Sequence, residues 1–163
     1  MLEIIHQDMT NGEKTLTFER VRRSPGIRLI LINPEERTVL LSKEHRYELN
    51  TDDYRLPGGK VFDSLKELND FIASGADMAA AAKEKAFEEA VEEVGVEIDA
   101  LEYDHTSVCG SMIEWDLYYY VSTSWKRVQQ NLGLGEEITV VEVSFEEAKR
   151  IIMNGEMSEE RSA

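Results

Sequence analysis

The hydrophobic pattern switches between strand and helix spacing along the whole chain, with no internal repeat and no low-complexity linker. Residues 14–22 and 27–32 read as strands. The second is an almost unbroken apolar run from Ile27 to Ile32, stopped by the turn-forming group Asn33-Pro34-Glu35-Glu36. Thr38 to Lys43 returns as another strand, which makes a hairpin with it. Further on, Ser64 and Glu67 stand at capping-box spacing, Leu65, Leu68 and Ile72 recur at helical spacing, and Gly75 can end that helix. Asp77 then caps a longer helix whose opening run, Met78 to Ala82, is helix-favouring. Strands are expected near 97–109, 114–122 and 137–143, the middle one rich in tyrosine. Ser144 and Glu147 repeat the capping-box spacing and open a last helix that runs to Asn154-Gly155. The alternation fits a mixed sheet sandwiched between helices.

The longer helix carries the chemistry. On an α-helix, positions i, i+3 and i+4 are neighbours, so Glu89, Glu92 and Glu93 are expected to converge on one point, opposite an apolar stripe of Ala86, Phe87, Ala90, Val91 and Val94. A solvated acidic face would look similar. Yet six glutamates and one lysine between Glu84 and Glu97 make a poor salt-bridged surface, and like charges at this spacing cost tenths of a kcal/mol per pair. A hard divalent cation such as Mg²⁺ relieves that repulsion and commonly bridges to substrate phosphates; Mn²⁺ suits the same oxygen ligands.

Composition narrows the classes. With 163 residues, 42% of them hydrophobic, the chain can bury a full core and is expected to form one domain. A net charge of −15 argues against a protein that grips nucleic acid, which needs Lys and Arg to displace counterions. It leaves room for small anionic substrates, because a bound metal inverts the local field. The lone Cys109 allows no intrachain disulfide, and the three histidines lack zinc-site spacing. The amino-terminal segment has no basic-then-apolar pattern, and nowhere do 18 apolar residues run together. A cytoplasmic protein with no membrane partner is the expectation.

Glu89-Ala90-Val91-Glu92-Glu93-Val94-Gly95-Val96, preceded by Leu56-Pro57-Gly58-Gly59-Lys60-Val61, resembles the signature of the Nudix hydrolases. That signature reads Gly-x5-Glu-x7-Arg-Glu-(apolar)-x-Glu-Glu-x-Gly-(apolar). Its second half matches here, while its first half departs: an insertion of 15 residues separates Gly59 from the helix, the signature's first glutamate falls on Ala80, and its arginine falls on Glu88. Lys85, four residues before Glu89, is placed to serve as a substitute cationic partner. Looser segments, Val39 to Tyr47 and Gly135 to Val140 followed by Phe145-Glu146-Glu147-Ala148, are similar to ADP-ribose pyrophosphatases within that family.

The resemblance implies an α/β (α+β) architecture, the Nudix α/β/α sandwich with a mixed sheet over residues 1–163, with 63–81 as a helical insertion. It implies Mg²⁺-dependent hydrolysis of a pyrophosphate bond, with ADP-ribose giving AMP and ribose 5-phosphate. The metal set would be Glu89, Glu92, Glu93 and the carbonyl of Gly58, with Glu92 also catalytic and Glu136 or Glu137 as base. Arg46 would bind substrate, since guanidinium matches phosphate with paired donors. Phe18 and Tyr47 are stacking candidates, and Glu114 is a weaker base candidate. Strands within residues 1–24 would join two copies as a homodimer. Two other readings stay open: a Nudix enzyme for a nucleoside triphosphate or nucleotide sugar, and a Nudix-fold sensor that binds a nucleotide without cleaving it. The losses at Ala80 and Glu88 keep the sensor in view.

Overall fold

A computed structural model describes the chain except for residues 48–49 and 134–136. In chain order it runs β1 (Glu3–Asn11), β2 (Lys14–Arg22), β3 (Gly26–Asn33), β4 (Thr38–Arg46), β5 (Thr51–Arg55), α1 (Leu65–Ser74) and α2 (Met78–Glu89). A π-helical turn, Ala90–Val94, continues α2. There follow β6 (Val96–Ile98), β7 (Glu102–Ser107), β8 (Ile113–Glu114), β9 (Leu117–Ser122), β10 (Trp125–Arg127), β11 (Ile138–Ser144) and α3 (Phe145–Met153).

The main sheet has the order β11-β4-β3-β9-β7, with β5 also paired to β4. β3 and β9 run parallel and the other pairs run antiparallel, so the sheet is mixed. β3 is central and covered on both faces, which is why its sequence is a near-continuous apolar run rather than an alternation. Ile27, Leu29 and Leu31 are fully buried with Leu40 against Ala82, Ala86, Ala90 and Val94. Each such aliphatic side chain contributes about 1.5–3 kcal/mol on leaving water. On the other face Val39 and Leu41 pack with Ile151 of α3 and with Met157. Helices thus cover both faces, the α/β/α sandwich expected. Small residues at Ala82, Ala86 and Ala90 let α2 lie close to the sheet, and the Tyr120 hydroxyl donates to the Ala79 carbonyl at 3.0 Å.

Several elements differ from the sequence reading. The strand expected over 97–109 divides into β6 and β7, because Asp99 turns to bond Ser124 through its N–H and its carboxylate. The strand expected over 114–122 divides at Trp115-Asp116, where the Trp115 carbonyl accepts from the Arg161 side chain and the Asp116 carbonyl accepts the Gly26 N–H at the start of β3. Phe87 lies outside the apolar stripe and is 37% exposed. α3 is capped at Asn154, as expected, but its Ser144 cap is half a box: Ser144 accepts the Glu147 N–H, while the Glu147 carboxylate pairs with Arg150. The Ser64–Glu67 box is complete, and Gly75 closes α1 in the left-handed conformation.

β1 and β2 form a hairpin that stands apart from the main sheet and pairs with β8. Glu114 of β8 takes Arg20 at 2.8 Å and Arg22 at 2.5 Å. The inserted α1 leans on this hairpin: the Asn69 amide donates to Glu3 at 3.2 Å. Met9, Leu16 and Phe18 remain exposed on one face of the hairpin, as register pairs Met9↔Leu16 and Gln7↔Phe18 require.

Candidate active site

The loop Leu56–Gly59 reaches the end of α2 as a short extended segment laid along β3. The Leu29 N–H donates to the Pro57 carbonyl at 2.8 Å and the Ile27 N–H donates to the Gly59 carbonyl at 2.9 Å. Gly58, between them, faces the opposite way, and its N–H donates to the Glu93 carboxylate at 2.8 Å. A Cβ on Gly58 would sit 2.2 Å from the Ile27 carbonyl oxygen, and one on Gly59 would sit 2.2 Å from Glu89 Oε1. The two glycines are therefore what lets this loop and two acidic side chains share the space.

The glutamates are arranged less simply than three neighbours on an α-helix. Glu89 ends the α-helical part and is buried, with only 9% exposure. The next turn is π-helical, with Gly95 N–H reaching Ala90, so Glu92 and Glu93 are carried round relative to α-helical phase. Glu93 turns to Gly58. Lys85 Nζ lies 3.1 Å from Glu88, 3.5 Å from Glu89 and 3.7 Å from Glu92. Burial disfavours this ammonium, but its hydrogen bond to Glu88 and the charges of Glu89 and Glu92 outweigh that and raise its pKa. Lys85, expected to partner Glu89, stands within ion-pair distance of Glu89 and, more closely, of Glu88. Among the described residues no three acidic, histidine or cysteine side chains are gathered round one point.

The donor types present are those that a hard, oxygen-seeking cation takes, although among the described residues the side chains are not gathered round one point. The set offers three carboxylates, one of them buried beside a glycine cradle, and a backbone loop held against them. The Lys85 ammonium stands where positive charge is called for.

Opposite this acidic wall the cleft is basic. A cavity of about 290 Å³ runs from Gly58, Gly59 and Glu93 to Arg23, Arg28 and Arg46. It adjoins one of about 540 Å³ bounded by Arg23, Arg28, Arg46, Arg55, Trp115 and Arg161. In a chain with 33 acidic and 18 basic residues, five arginines at one place make a strong local reversal of sign. The guanidinium carbons of Arg23 and Arg161 each lie 4.1 Å from the Trp115 ring centroid. Burial, then Arg161 and Arg28, depress the pKa of Arg23, against which Glu159 acts. Glu159 bonds Arg28 through both oxygens, at 2.7 and 2.9 Å. A separate cavity of about 400 Å³ lies between α1 and the hairpin, bounded by Arg20, Arg22, Leu68, Ile72 and Tyr118.

The structure brings Gly58, Glu89, Glu93 and Arg46 to one cleft region, with Glu92 at the edge of the acidic wall beside Lys85. Arg46 also donates to Glu44 at 2.9 Å. Glu137 is exposed and directly precedes Ile138, which lines the cleft. Glu136 lies outside the described residues. Phe18 is on the hairpin, Tyr47 is 76% exposed, and neither lines the cleft; Glu114 is held by Arg20 and Arg22. The sequence reading missed Arg23, Arg28, Arg55, Trp115 and Arg161. One signal was present: an arginine inside the apolar run of β3 is a charge that must find a partner when buried.

No protein-family model matches the chain, and no curated protein matches it by sequence. Among solved structures the fold is shared with a hydrolase. That structure is described as the crystal structure of ADP compounds hydrolase; it superposes with a TM-score of 0.66 at 16% identity, covering 99% of this chain and 79% of the other. The likeness establishes the mixed α/β architecture. No helix among the described residues is long and apolar enough to cross a membrane.

Proposed function

We propose that the protein is a Mg²⁺-dependent pyrophosphohydrolase of nucleoside diphosphates linked to another moiety, with ADP-ribose, cleaved to AMP and ribose 5-phosphate, as the first substrate to test. The observation that carries this is the cleft itself, with carboxylates on one wall and guanidinium groups on the other, on a fold shared with a protein named as a hydrolase of ADP compounds. A pyrophosphate repels an attacking hydroxide, so a catalyst has to supply positive charge on both sides of it.

Glu89, Glu92, Glu93 and the Gly58 carbonyl would hold the metal. When bound, Mg²⁺ neutralises phosphate oxygens and lowers the pKa of the attacking water. Gly58 N–H keeps Glu93 oriented, and the glycine at 59 leaves Glu89 its buried position. Arg46 and its neighbours would bind the phosphates through paired donors. Glu137, or Glu136, would accept the proton of the water. Homodimerisation through the exposed face of the β1–β2 hairpin belongs to the same reading.

Product release should be measured for ADP-ribose, nucleotide sugars, dinucleoside polyphosphates and nucleoside triphosphates, with and without Mg²⁺. Metal-dependent cleavage that disappears in Glu92→Gln and Glu93→Gln supports the hydrolase, and the best substrate names its subgroup. Lys85 gives specific support to a second reading, a nucleotide sensor, because its ammonium already neutralises the glutamates. That reading predicts binding with no product from any member of the panel.

A further inference from the structure

Glu159 holds an unusual position. It belongs to the segment after α3, which is pinned on either side of it. Buried Asp53 accepts the Ser158 N–H at 2.8 Å and the Ser158 hydroxyl at 2.9 Å, and Arg161 donates to the Trp115 carbonyl at 2.8 Å. Between these anchors the Glu159 carboxylate lies fork-to-fork on Arg28, with side-chain exposures of 13% and 9%. A carboxylate paired with guanidinium in this way presents the oxygen spacing that a phosphate presents. Arg23 and Arg161 crowd the same wall, Glu160 is the other acid that lines the cavity, and among the described residues the buried Arg161 Nη2 has no hydrogen-bond partner. A buried guanidinium donor left unsatisfied costs free energy that an incoming oxyanion would recover.

We propose that Arg23, Arg28 and Arg161 form a phosphate-binding wall and that Glu159 is its internal occupant, which the phosphates of a nucleoside diphosphate compound displace. This rests on the cleft being the nucleotide site. Only the Glu159 side chain has to swing out, since Ser158 and Arg161 keep the backbone in place. The occupant makes the site selective: a ligand with a single weak anionic group gains little by exchanging with a carboxylate, whereas two linked phosphates engage Arg28 and the unsatisfied Arg161 together.

The test is titration calorimetry with ADP in EDTA, which reads binding apart from turnover. Glu159→Gln should bind ADP about tenfold more tightly than the wild type, a difference easily resolved on the affinity scale. Adding Arg28→Gln should abolish the gain. Glu36→Gln removes the same charge from an exposed turn that lines no part of the cleft and should change affinity by no more than about twofold, as a screened charge does. Unchanged or weaker binding in Glu159→Gln overturns the proposal, as does an equal gain in Glu36→Gln. Should Glu159→Gln fold poorly, Glu159→Asp keeps the charge and shortens its reach, and no gain there would equally refute displacement. Hydrolysis failing while the ADP effect appears would refute the enzymatic reading and leave this one standing.

Discussion

Replacing Gly59 with alanine asks whether the loop and the acidic helix really share one space. The new Cβ would meet Glu89 Oε1 at 2.2 Å and Cδ at 2.6 Å, closer than non-bonded atoms approach, and Oε2 at a tight 3.0 Å. Overpacking costs about 1–3 kcal/mol, and the atoms in the way here are the end of a flexible side chain, which favours the lower half, about 1–2 kcal/mol. Gly59 is not among the glycines of positive φ, so alanine adds no backbone strain and stabilises by about 0.4–1 kcal/mol through the unfolded chain. The net loss should be about 0–1.6 kcal/mol. In a Glu89→Ala background the obstruction is gone, and Gly59→Ala should become neutral to stabilising. Urea unfolding of the four proteins should therefore give a coupling energy of about 1–2 kcal/mol, within the range seen for side chains in contact. Because Glu89 is pushed aside rather than removed, metal-dependent activity should fall about 10- to 100-fold, as for lost support of a metal ligand. Equal effects of Gly59→Ala in both backgrounds would refute the reasoning.

Other outcomes follow from the same geometry. Lys85→Ala should destabilise the metal-free protein by roughly 1 kcal/mol, the sum of a few helix-surface pairs, and should enlarge the Mg²⁺-induced rise in Tm measured by scanning calorimetry. Burial raises the Glu159 pKa, but bonding to Arg28 and Ser162 and the charge of Arg28 outweigh it and leave it below the ordinary 4.5. Its stabilisation is thus complete above about pH 4.5 and lost as pH falls through the lower folded value, so urea midpoints of wild type and Glu159→Gln should converge in acid, from a gap of about 1.5–3 kcal/mol at pH 7. Leu16→Lys with Phe18→Lys should turn a dimer into a monomer in sedimentation velocity without unfolding it; a monomeric wild type would dispose of the hairpin interface.

The acidic wall was legible in the sequence and the basic wall was not, for a physical reason. Glu89, Glu92 and Glu93 lie within one helical segment, where local spacing predicts proximity, although spacing could not reveal the π-helical turn that changes their phase. Arg28 and Glu159 are 131 positions apart and meet only because the segment after α3 folds back beside β3. Caps show the same division. Ser64 and Glu67 complete their box, with the Glu67 carboxylate accepting the Asp63 N–H as well, whereas Arg150, one turn along, draws Glu147 away from Ser144. Strand breaks at Asp99 and Trp115 arise from bonds to distant residues, which no local pattern contains.

The parallel pairing of β3 with β9 also bears on how the chain acquires its shape. β3 is made early, yet its neighbour on one side, running from Leu117 to Ser122, emerges only after the whole of α1, α2 and the π-helical turn. Non-local closure of this kind is slow, because the entropy of a long loop is spent before the contacts that reward it form. Until then Ile27, Leu29 and Leu31 lie beside an unpaired edge, the kind of surface on which nascent chains associate. The local hairpins β1–β2 and β3–β4 can form without waiting, so the most aggregation-prone interval in the life of this protein falls between the synthesis of its central strand and that of the partner that covers it.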